Sequence, residues 1–122
     1  MKKILFVILI LCLSQISYGQ NISDVSRSHN ILTVLDSHNS TLSTLSIRDN
    51  DELCGFSSNI IVIKSSSIIT VYDQKFNTIS TKWINDGDVV KSVSGNSIII
   101  KSKGIVTTYD KKFNVISSRY EQ

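Results

Sequence analysis

Few residues of this chain have the types and spacing that catalysis or metal binding requires. His29 and His38 are the only histidines, whereas a zinc site needs several ligands at defined spacing. Serine is abundant, but no serine stands in the Gly-x-Ser-x-Gly turn that presents a hydrolase nucleophile. The sequence therefore predicts no catalytic residue, no cofactor and no metal ion, and it favours a protein that is not an enzyme.

Two acidic stretches are the best candidates for ion binding. Residues 49–52 read Asp-Asn-Asp-Glu, and residues 85–88 read Asn-Asp-Gly-Asp. Clustered carboxylates beside a glycine provide the oxygen ligands that calcium prefers. The same residue types also form tight turns, because glycine tolerates positive φ. A turn is the simpler interpretation, and calcium binding is the alternative.

Cys54 is the sole cysteine of residues 20–122. That segment therefore cannot form a disulfide within one molecule. The neighbours Leu53, Gly55 and Phe56 favour a buried and unreactive thiol. A bond to a second molecule is the alternative.

Residues 1–19 have the order of a secretory signal peptide. Two lysines follow the initiating methionine, residues 4–13 are apolar, and small residues precede a cleavage site between Gly19 and Gln20. A membrane anchor is the alternative, but the apolar run is about half the ~20 residues needed to span a bilayer. We therefore expect a protein that is secreted, either periplasmic or extracellular.

Removal of this leader leaves residues 20–122 nearly neutral, with 11 basic and 10 acidic residues. Such a balance gives no electrostatic attraction to nucleic acid. The remaining chain has no proline, and Ile, Val, Ser and Thr dominate it. We expect one folded domain with no membrane span and no nucleic-acid partner.

An internal repeat of 37 residues organises this domain. Residues 57–81 and 94–118 align without a gap at that offset and agree at 15 of 25 positions. Residues 31–44 match residues 68–81 at the same offset, at 7 of 14 positions. The repeat predicts three units, at about 20–50, 51–87 and 88–122.

Each unit reads as four β-strands. Residues 89–93 alternate in the manner of a half-exposed strand. The runs 60–63 and 98–100 are continuous and β-branched, which is typical of strands covered on both faces. Residues 68–72 and 77–84 have strand-like composition, and no stretch has helical spacing with a cap. The expected fold class is all-β, with tandem four-stranded antiparallel repeats.

An aspartate precedes the last hairpin of every unit, at Asp36, Asp73 and Asp110. In the later two units the motif Tyr-Asp-x-Lys-Phe-Asn ends at Asn77 and Asn114. A carboxylate in this place accepts a hydrogen bond from the N–H two residues on and closes the hairpin. These are therefore predicted to be structural turn residues, and a ligand-lining face is the alternative.

Trp83 and Tyr120 occupy one position of the repeat, where the first unit has Ser46. Aromatic rings stack on sugars and peptides, so both residues are candidate ligand contacts. Alternatively, they fill the space between stacked units.

The order of residues 88–118, DVVKSVSGNSIIIKSKGIVTTYDKKFNVISS, resembles one blade of a β-propeller. The likeness lies in two hydrophobic strands joined by a Gly-Asn turn and in Val-x-x-Tyr-Asp before a hairpin. It covers residues 51–120, and residues 23–47 in part. The resemblance implies a propeller-like fold, and such a pattern identifies a fold rather than a function.

The first unit lacks its first strand, because the aligned residues fall within the leader. About 11 strands are too few for a closed ring of blades, so we expect an incomplete ring or a blade array. Self-association is expected to complete a ring or to cover strand edges. A β-trefoil, which also has three repeats of four strands, is the alternative fold.

The leading functional hypothesis is a secreted binding or interaction protein without enzymatic activity, whose partner is a protein or a carbohydrate. One alternative is a structural or vestigial propeller fragment without a ligand. Another is a small secreted enzyme whose site forms between subunits. The sequence does not identify the ligand.

Overall fold

The computed structural model describes residues 21–121, which form eleven β-strands and no helix. The predicted signal peptide and its cleavage site between Gly19 and Gln20 lie outside the described residues. Within residues 21–121 there is no helix long and apolar enough to cross a membrane. The prediction of an all-β fold is confirmed.

The strands form three antiparallel sheets, one after another along the chain. The first sheet contains β1 (Asp24–Ser28), β2 (Ile31–Leu35) and β3 (Thr41–Ser46). The second contains β4 (Glu52–Phe56), β5 (Ile61–Ser65), β6 (Ile68–Tyr72) and β7 (Thr78–Trp83). The third contains β8 (Val89–Ser94), β9 (Ser97–Ser102), β10 (Ile105–Asp110) and β11 (Val115–Tyr120). Strands that follow one another in the chain are neighbours in the sheet, so each sheet is a meander.

One hairpin of each sheet closes through a two-residue turn whose first residue has positive φ. The φ angles are 54° at His29, 57° at Ser66 and 54° at Lys103. Two-residue turns with positive φ have a backbone twist that matches the right-handed twist of the strands they join. The three residues are 37 positions apart, so the repeat holds at the level of the backbone as well as the sequence.

The sheets pack face to face through two hydrophobic clusters. One cluster joins the first and second sheets, at what we term the first joint, and the other joins the second and third sheets, at the second joint. Side chains of β5 alternate between them, with Ile61 and Ile63 in the first cluster and Val62 in the second. The second sheet is therefore buried on both faces, as its β-branched run predicts. The same prediction for residues 98–100 is wrong, because within residues 21–121 the third sheet has a neighbour on one face alone: Ile98 and Ile100 are buried, and Ile99 faces outward and is partly exposed.

The inner strands β4 and β8 come closer than any other two strands from different sheets. Here Gly55 faces Val93, and a Cβ placed on Gly55 would lie 2.9 Å from Cγ2 of Val93. The second and third sheets thus meet at their inner strands and fan outward, and β3, β7 and β11 are the outer strands.

The two outward faces of the stack are more polar than the faces inside it. Asp24 and Ser26 on the first sheet occupy the positions of Ile61 and Ile63, which are buried in the second sheet. On the third sheet three positions change in the same sense, with Ser97 for Ile60, Thr108 for Val71 and Glu121 for Ile84. Terminal units of repeat stacks stay soluble through such polar outer faces.

The architecture is propeller-like, with successive meander sheets arranged as an incomplete ring of blades. Among the described residues the first sheet has three strands and the others have four. The β-trefoil alternative is not formed, because each unit builds its own sheet instead of contributing strands to one shared barrel.

Candidate functional site

A groove of about 160 Å³ opens at the second joint. Strands β4 and β5 form one side of the groove, and β8 with the segment before it forms the other. Its lining mixes apolar and charged side chains: Glu52, Cys54, Lys64, Ile84, Asp88, Val89 and Val90. The groove is therefore a small polar cleft with an apolar floor.

Asp88 is held in the turn that links the second and third sheets. Its carboxylate accepts hydrogen bonds from the Ser102 hydroxyl (2.6 Å) and the Asn85 backbone N–H (3.0 Å). The Ser102 bond has the largest effect in lowering the pKa of Asp88 below its ordinary value, because it stabilises the charged form. The carboxylate is therefore ionised at neutral pH.

Asp51 has the equivalent place at the first joint. It accepts hydrogen bonds from the Arg48 backbone N–H (3.0 Å) and the Ser65 hydroxyl (2.8 Å), and the Arg48 bond is the main reason that its pKa is lowered. Both acidic stretches thus form turns. In residues 21–121, no group of His, Cys, Asp and Glu side chains is arranged to hold a metal ion.

Glu52 and Lys64 are cross-strand neighbours on β4 and β5, on the side that faces the groove. Within residues 21–121, no hydrogen bond or ion pair joins the Lys64 ammonium group to another side chain; Lys101 and Glu121 form the ion pair of the third sheet, at 3.1 Å. With Asp88, the groove carries two carboxylates and one ammonium group, so its net charge is negative.

The Cys54 thiol lies at the floor of the groove and is half-buried. Burial raises the pKa of the thiol to about 11, and the nearby Glu52 charge acts in the same direction. A thiol of this kind stays protonated at neutral pH and is a poor nucleophile. The expectation of a buried residue is met in part, since Cys54 packs against the second cluster without being fully enclosed.

Arg27 occupies the equivalent position at the first joint, where its side chain is exposed and lies along the connecting segment, and sequence reasoning missed it. Its Nη1 donates to the Asp51 carbonyl oxygen (2.6 Å), and its Nη2 donates to those of Arg48 (3.2 Å) and Asp49 (3.3 Å). Its Nε donates to the His29 carbonyl oxygen at 2.9 Å. The available signal was positional, because Lys64 and Lys101 follow Arg27 at intervals of 37 residues.

Trp83 and Tyr120 lie at the ends of the outer strands β7 and β11 and are 74% and 82% exposed. Register places Trp83 opposite Ile68 and Tyr120 opposite Ile105. Each ring therefore projects from the sheet face that is turned toward the preceding sheet, beyond the packed cluster. The rings do not fill the space between stacked units.

The repeat aspartates are hydrogen-bond acceptors within their turns. The first contacts, at 2.8 Å in every unit, run from the backbone N–H groups of His38, Lys75 and Lys112 to Asp36, Asp73 and Asp110. The Asn77 and Asn114 side-chain amides add bonds of 3.1 Å to Asp73 and Asp110. His29 lies in the opposite turn of the first sheet, so the structure does not bring the two histidines together in one site.

Other contacts across the joints were not foreseen from the sequence. Lys82 Nζ lies 5.1 Å from the centroid of the Tyr109 ring, in a cation–π arrangement across the second joint. The Ser43 hydroxyl donates to the Gln74 carbonyl oxygen at the first joint, at 2.6 Å. Side-chain bonds of this kind align one sheet on the next.

Comparison with known proteins gives information on the fold. No protein-family model matches the sequence, and no curated protein matches it. The structure is similar to BamB from Moraxella catarrhalis, with a TM-score of 0.52 and 14% identity over 80% of this chain and 32% of that chain. It is also similar to Hsv2 from Kluyvelomyces marxianus, with a TM-score of 0.50 and 9% identity over 83% of this chain and 40% of that chain.

Both neighbours are propeller proteins, so the three sheets correspond to propeller blades. This chain spans about a third of one neighbour and two-fifths of the other. At these identities the similarity shows the fold alone, since one fold serves many functions.

Proposed function

We propose that this chain is a secreted, non-enzymatic binding protein that presents propeller-like blades to a protein or carbohydrate partner. The observation that carries the proposal is the exposure of Trp83 and Tyr120, at 74% and 82%, in equivalent positions of two sheets. Exposed Trp and Tyr side chains are enriched where proteins recognise partners. We call the exposed outer part of these two sheets, with Ile68 and Ile105, the rim surface; Trp83 lies on its first-joint side and Tyr120 on its second-joint side.

Hydroxyl groups adjoin the aromatic rings on the rim surface. The next cross-strand pair on the face of Trp83 is Thr70 with Thr81, and on the face of Tyr120 it is Thr107 with Ser118. A flat apolar ring beside hydroxyl donors suits ligands that have both apolar faces and polar edges, as sugars and peptides do. The surface supports recognition through stacking and hydrogen bonding together.

The groove at the second joint supports a binding role more than a catalytic one. Its thiol, Cys54, has a pKa raised to about 11, and Asp88 is engaged in turn hydrogen bonds. Neither group is prepared for nucleophilic or acid–base chemistry near neutral pH. An enzyme site formed between subunits is the remaining catalytic alternative.

Secretion is supported by the pattern of residues 1–19, with a positive start, an apolar run and a small residue before the proposed cut. Mass spectrometry of the protein recovered from its native host tests this part directly. A mature N-terminus at Gln20 is expected. An intact Met1 would contradict both the cut and the secreted location.

Self-association would complete a ring of blades, but the polar end faces weigh against it. Asp24, Ser26 and Glu121 lie where apolar side chains pack inside the stack. Burying such groups against a second copy is costly unless each finds a partner. Light scattering after gel filtration measures the outcome, with a monomer expected for an open arc and a closed dimer for ring completion.

A structural or vestigial fragment without a ligand is the second candidate. It is favoured by the coverage of the propeller neighbours, since three blades correspond to 32% and 40% of those chains. A fragment of this kind predicts aggregation through its unprotected strand edges. A soluble, monomeric protein with cooperative unfolding would exclude it.

Trp83 provides the test of binding, because it is the sole tryptophan of the chain. Its emission is recorded while oligosaccharide and peptide panels are added to residues 20–122. We expect a saturable blue shift with one ligand class, and loss of affinity of about tenfold or more in Thr81→Ala, which removes a hydroxyl group on the same sheet face as Trp83. Val115→Ala is the matched control, since Val115 is 63% exposed at the opposite end of β11. Absence of a saturable shift across both panels would contradict binding at the rim surface.

A further inference from the structure

The two joints share the same connecting turn and have Arg27 and Lys64 in equivalent positions, whereas the counterparts of Glu52 and Cys54 at the first joint fall outside the described residues. At the first joint, the Arg27 guanidinium donates to three carbonyl oxygens of the segment that connects the first and second sheets, at 2.6, 3.2 and 3.3 Å. The first joint therefore shows what this segment binds when a guanidinium group is available.

At the second joint the equivalent residue is Lys64. Its single ammonium group cannot reproduce the planar fork of five N–H donors that an arginine presents. In the described part of the chain, Lys64 forms no hydrogen bond to the connecting segment, and the groove of about 160 Å³ lies beside it. The groove is thus the place that an arginine side chain occupies at the first joint.

The connecting segments offer matching acceptors. In both, the N–H of the aspartate closes a turn to the carbonyl oxygen three residues earlier, at 3.1 Å, from Asp51 to Arg48 and from Asp88 to Asn85. The carbonyl groups of Asn85 and Asp88 therefore correspond to those that make two of the three Arg27 contacts, including the shortest.

One peptide differs between the segments. The φ angle is +88° at Gly87, whereas Asn50, its equivalent, is not among the residues with positive φ. Two turns that differ in this way have opposite orientations of one peptide group, which lies between residues 49 and 50 in one segment and between residues 86 and 87 in the other. The Asp86 carbonyl therefore does not match that of Asp49, which makes the longest Arg27 contact at 3.3 Å. The acceptors that remain correspond to the Arg27 contacts of 2.6 and 3.2 Å.

The groove lining offers two carboxylates to a cation. Glu52 and Asp88 line it, and the pKa of Asp88 lies below its ordinary value because of its Ser102 and Asn85 hydrogen bonds. Against these two carboxylates stand the ammonium group of Lys64 in the lining and the charges of Lys82 and Lys103, which act on Asp88 from outside it. Glu52 also supplies an acceptor that pairs with a guanidinium group through two parallel hydrogen bonds.

We propose that the groove at the second joint binds a guanidinium group, such as the side chain of an arginine. The inference deepens the proposed binding function by naming a ligand chemistry at a site separate from the rim surface. The guanidinium group donates to the carbonyl oxygens of Asn85 and Asp88 and pairs with the Glu52 carboxylate, while its alkyl chain lies along Val89 and Val90.

The test is a titration followed by two-dimensional NMR of backbone amides in residues 20–122. The probe is Nα-acetyl-arginine amide, and the control is the corresponding citrulline amide, which has the same shape without the charge. We expect saturable shifts at Glu52, Asp88 and Val89 with the arginine probe, and about tenfold weaker or undetectable binding of the citrulline probe. Absence of saturable shifts, or equal binding of both probes, would overturn the proposal.

Substitutions at the two joints provide matched controls. Lys64→Arg fills the groove from within and is expected to abolish probe binding, whereas Lys64→Ala removes the competing charge and is expected to bind the probe at least as tightly. Arg27→Lys makes the first joint resemble the second, so a new set of shifts is expected at residues 48–51. Unchanged binding in folded Lys64→Arg would overturn the proposal, and the amide spectrum itself reports whether each variant is folded.

A second pair of probes distinguishes between two sources of the guanidinium group, a small molecule and an arginine within a protein segment. If the single blocked arginine binds as tightly as arginine within a short peptide, a small molecule is the ligand. If flanking residues raise the affinity about tenfold or more, a protein segment is the ligand. Failure of every arginine probe leaves the Trp83 emission assay unaffected, so the guanidinium site and the rim surface are tested independently.

Discussion

Gly55 and Val93 are in close contact at the second joint. A methyl group added to Gly55 would lie 2.9 Å from Val93 Cγ2 and 3.3 Å from Val93 Cβ. Unlike Gly87, Gly95 and Gly104, Gly55 has no positive φ. The reason for glycine at this position is therefore the approach of β4 to β8 and not the backbone conformation.

We predict that Gly55→Ala destabilises the fold by about 1–3 kcal/mol, the usual cost of overpacking a close contact. Valine is stiff about χ1, so Val93 cannot easily turn away from the added methyl group. Urea unfolding monitored by circular dichroism measures the change. In a Val93→Ala background, where the methyl group has room, Gly55→Ala is expected to cost much less, with the Val93→Ala single variant as the reference. An equal cost in both backgrounds would show that the contact with Val93 is not the cause.

Phe76 has an unusual backbone conformation for a large residue, with φ of 60°, and its ring packs edge-on to Tyr72 at a centroid distance of 5.7 Å. We predict that Phe76→Gly is more stable than Phe76→Ala by about 1 kcal/mol, because only glycine adopts this φ without cost. Both variants lose the ring contact and are less stable than the natural protein. Thermal unfolding of the pair decides the order, and the reverse order would argue against a left-handed residue at this turn.

The stability of the protein should fall in acid. The pKa values of five aspartates, Asp36, Asp51, Asp73, Asp88 and Asp110, lie below their ordinary value. Between the folded and unfolded pKa values the unfolded state binds more protons, so the free energy of unfolding rises with pH there. We expect a urea midpoint that is steady from about pH 7 to 5 and that declines below about pH 4.

Asp110→Asn is the matched variant for this pH dependence. The backbone N–H groups of Lys112 and Asn114 both donate to one carboxylate oxygen, at 2.8 and 2.9 Å, and an asparagine keeps such an oxygen. We therefore expect a shallower decline below about pH 4 in this variant, with the fold retained. An identical acid profile would mean that Asp110 does not contribute to the titration.

Cys54 should react slowly in the folded protein. With its pKa raised to about 11 by burial, the thiolate fraction near pH 8 is about a hundredfold smaller than that of an unperturbed thiol. We expect alkylation by iodoacetamide, followed by mass spectrometry, to be slowed by about that factor and to become fast in urea. Equal rates in the two conditions would contradict the protected environment.

The repeat made most of the architecture predictable. The strand expected at residues 68–72 is β6, because strand composition and turn residues are local properties of the sequence. Extending the 37-residue offset to the start of the first unit places Asp24 at the position of Ile61. The direction of this sheet face could not be predicted, because only the packing shows that it is turned inward in the second sheet and outward in the first.

The candidate site was less predictable for a geometric reason. Arg27 reaches the carbonyl of Asp51, 24 residues away, and the reach depends on how two sheets are set against each other. The close approach of Gly55 to Val93 depends on the same relation. Trp83 was recognised as a candidate contact, but its exposure follows from the outward spread of the sheets and not from its neighbours in sequence.

The burial of the second sheet on both faces has a consequence for synthesis. A chain that emerges gradually from its N-terminal end, during synthesis or during export, begins to fold from that side. The first cluster is complete once β7 has emerged, but Val62 and Ile69 of the same sheet then have no cover until β9 follows. For the time needed to add the third unit, the nascent chain carries an uncovered apolar wall, and this is the interval in which a chaperone has most to protect.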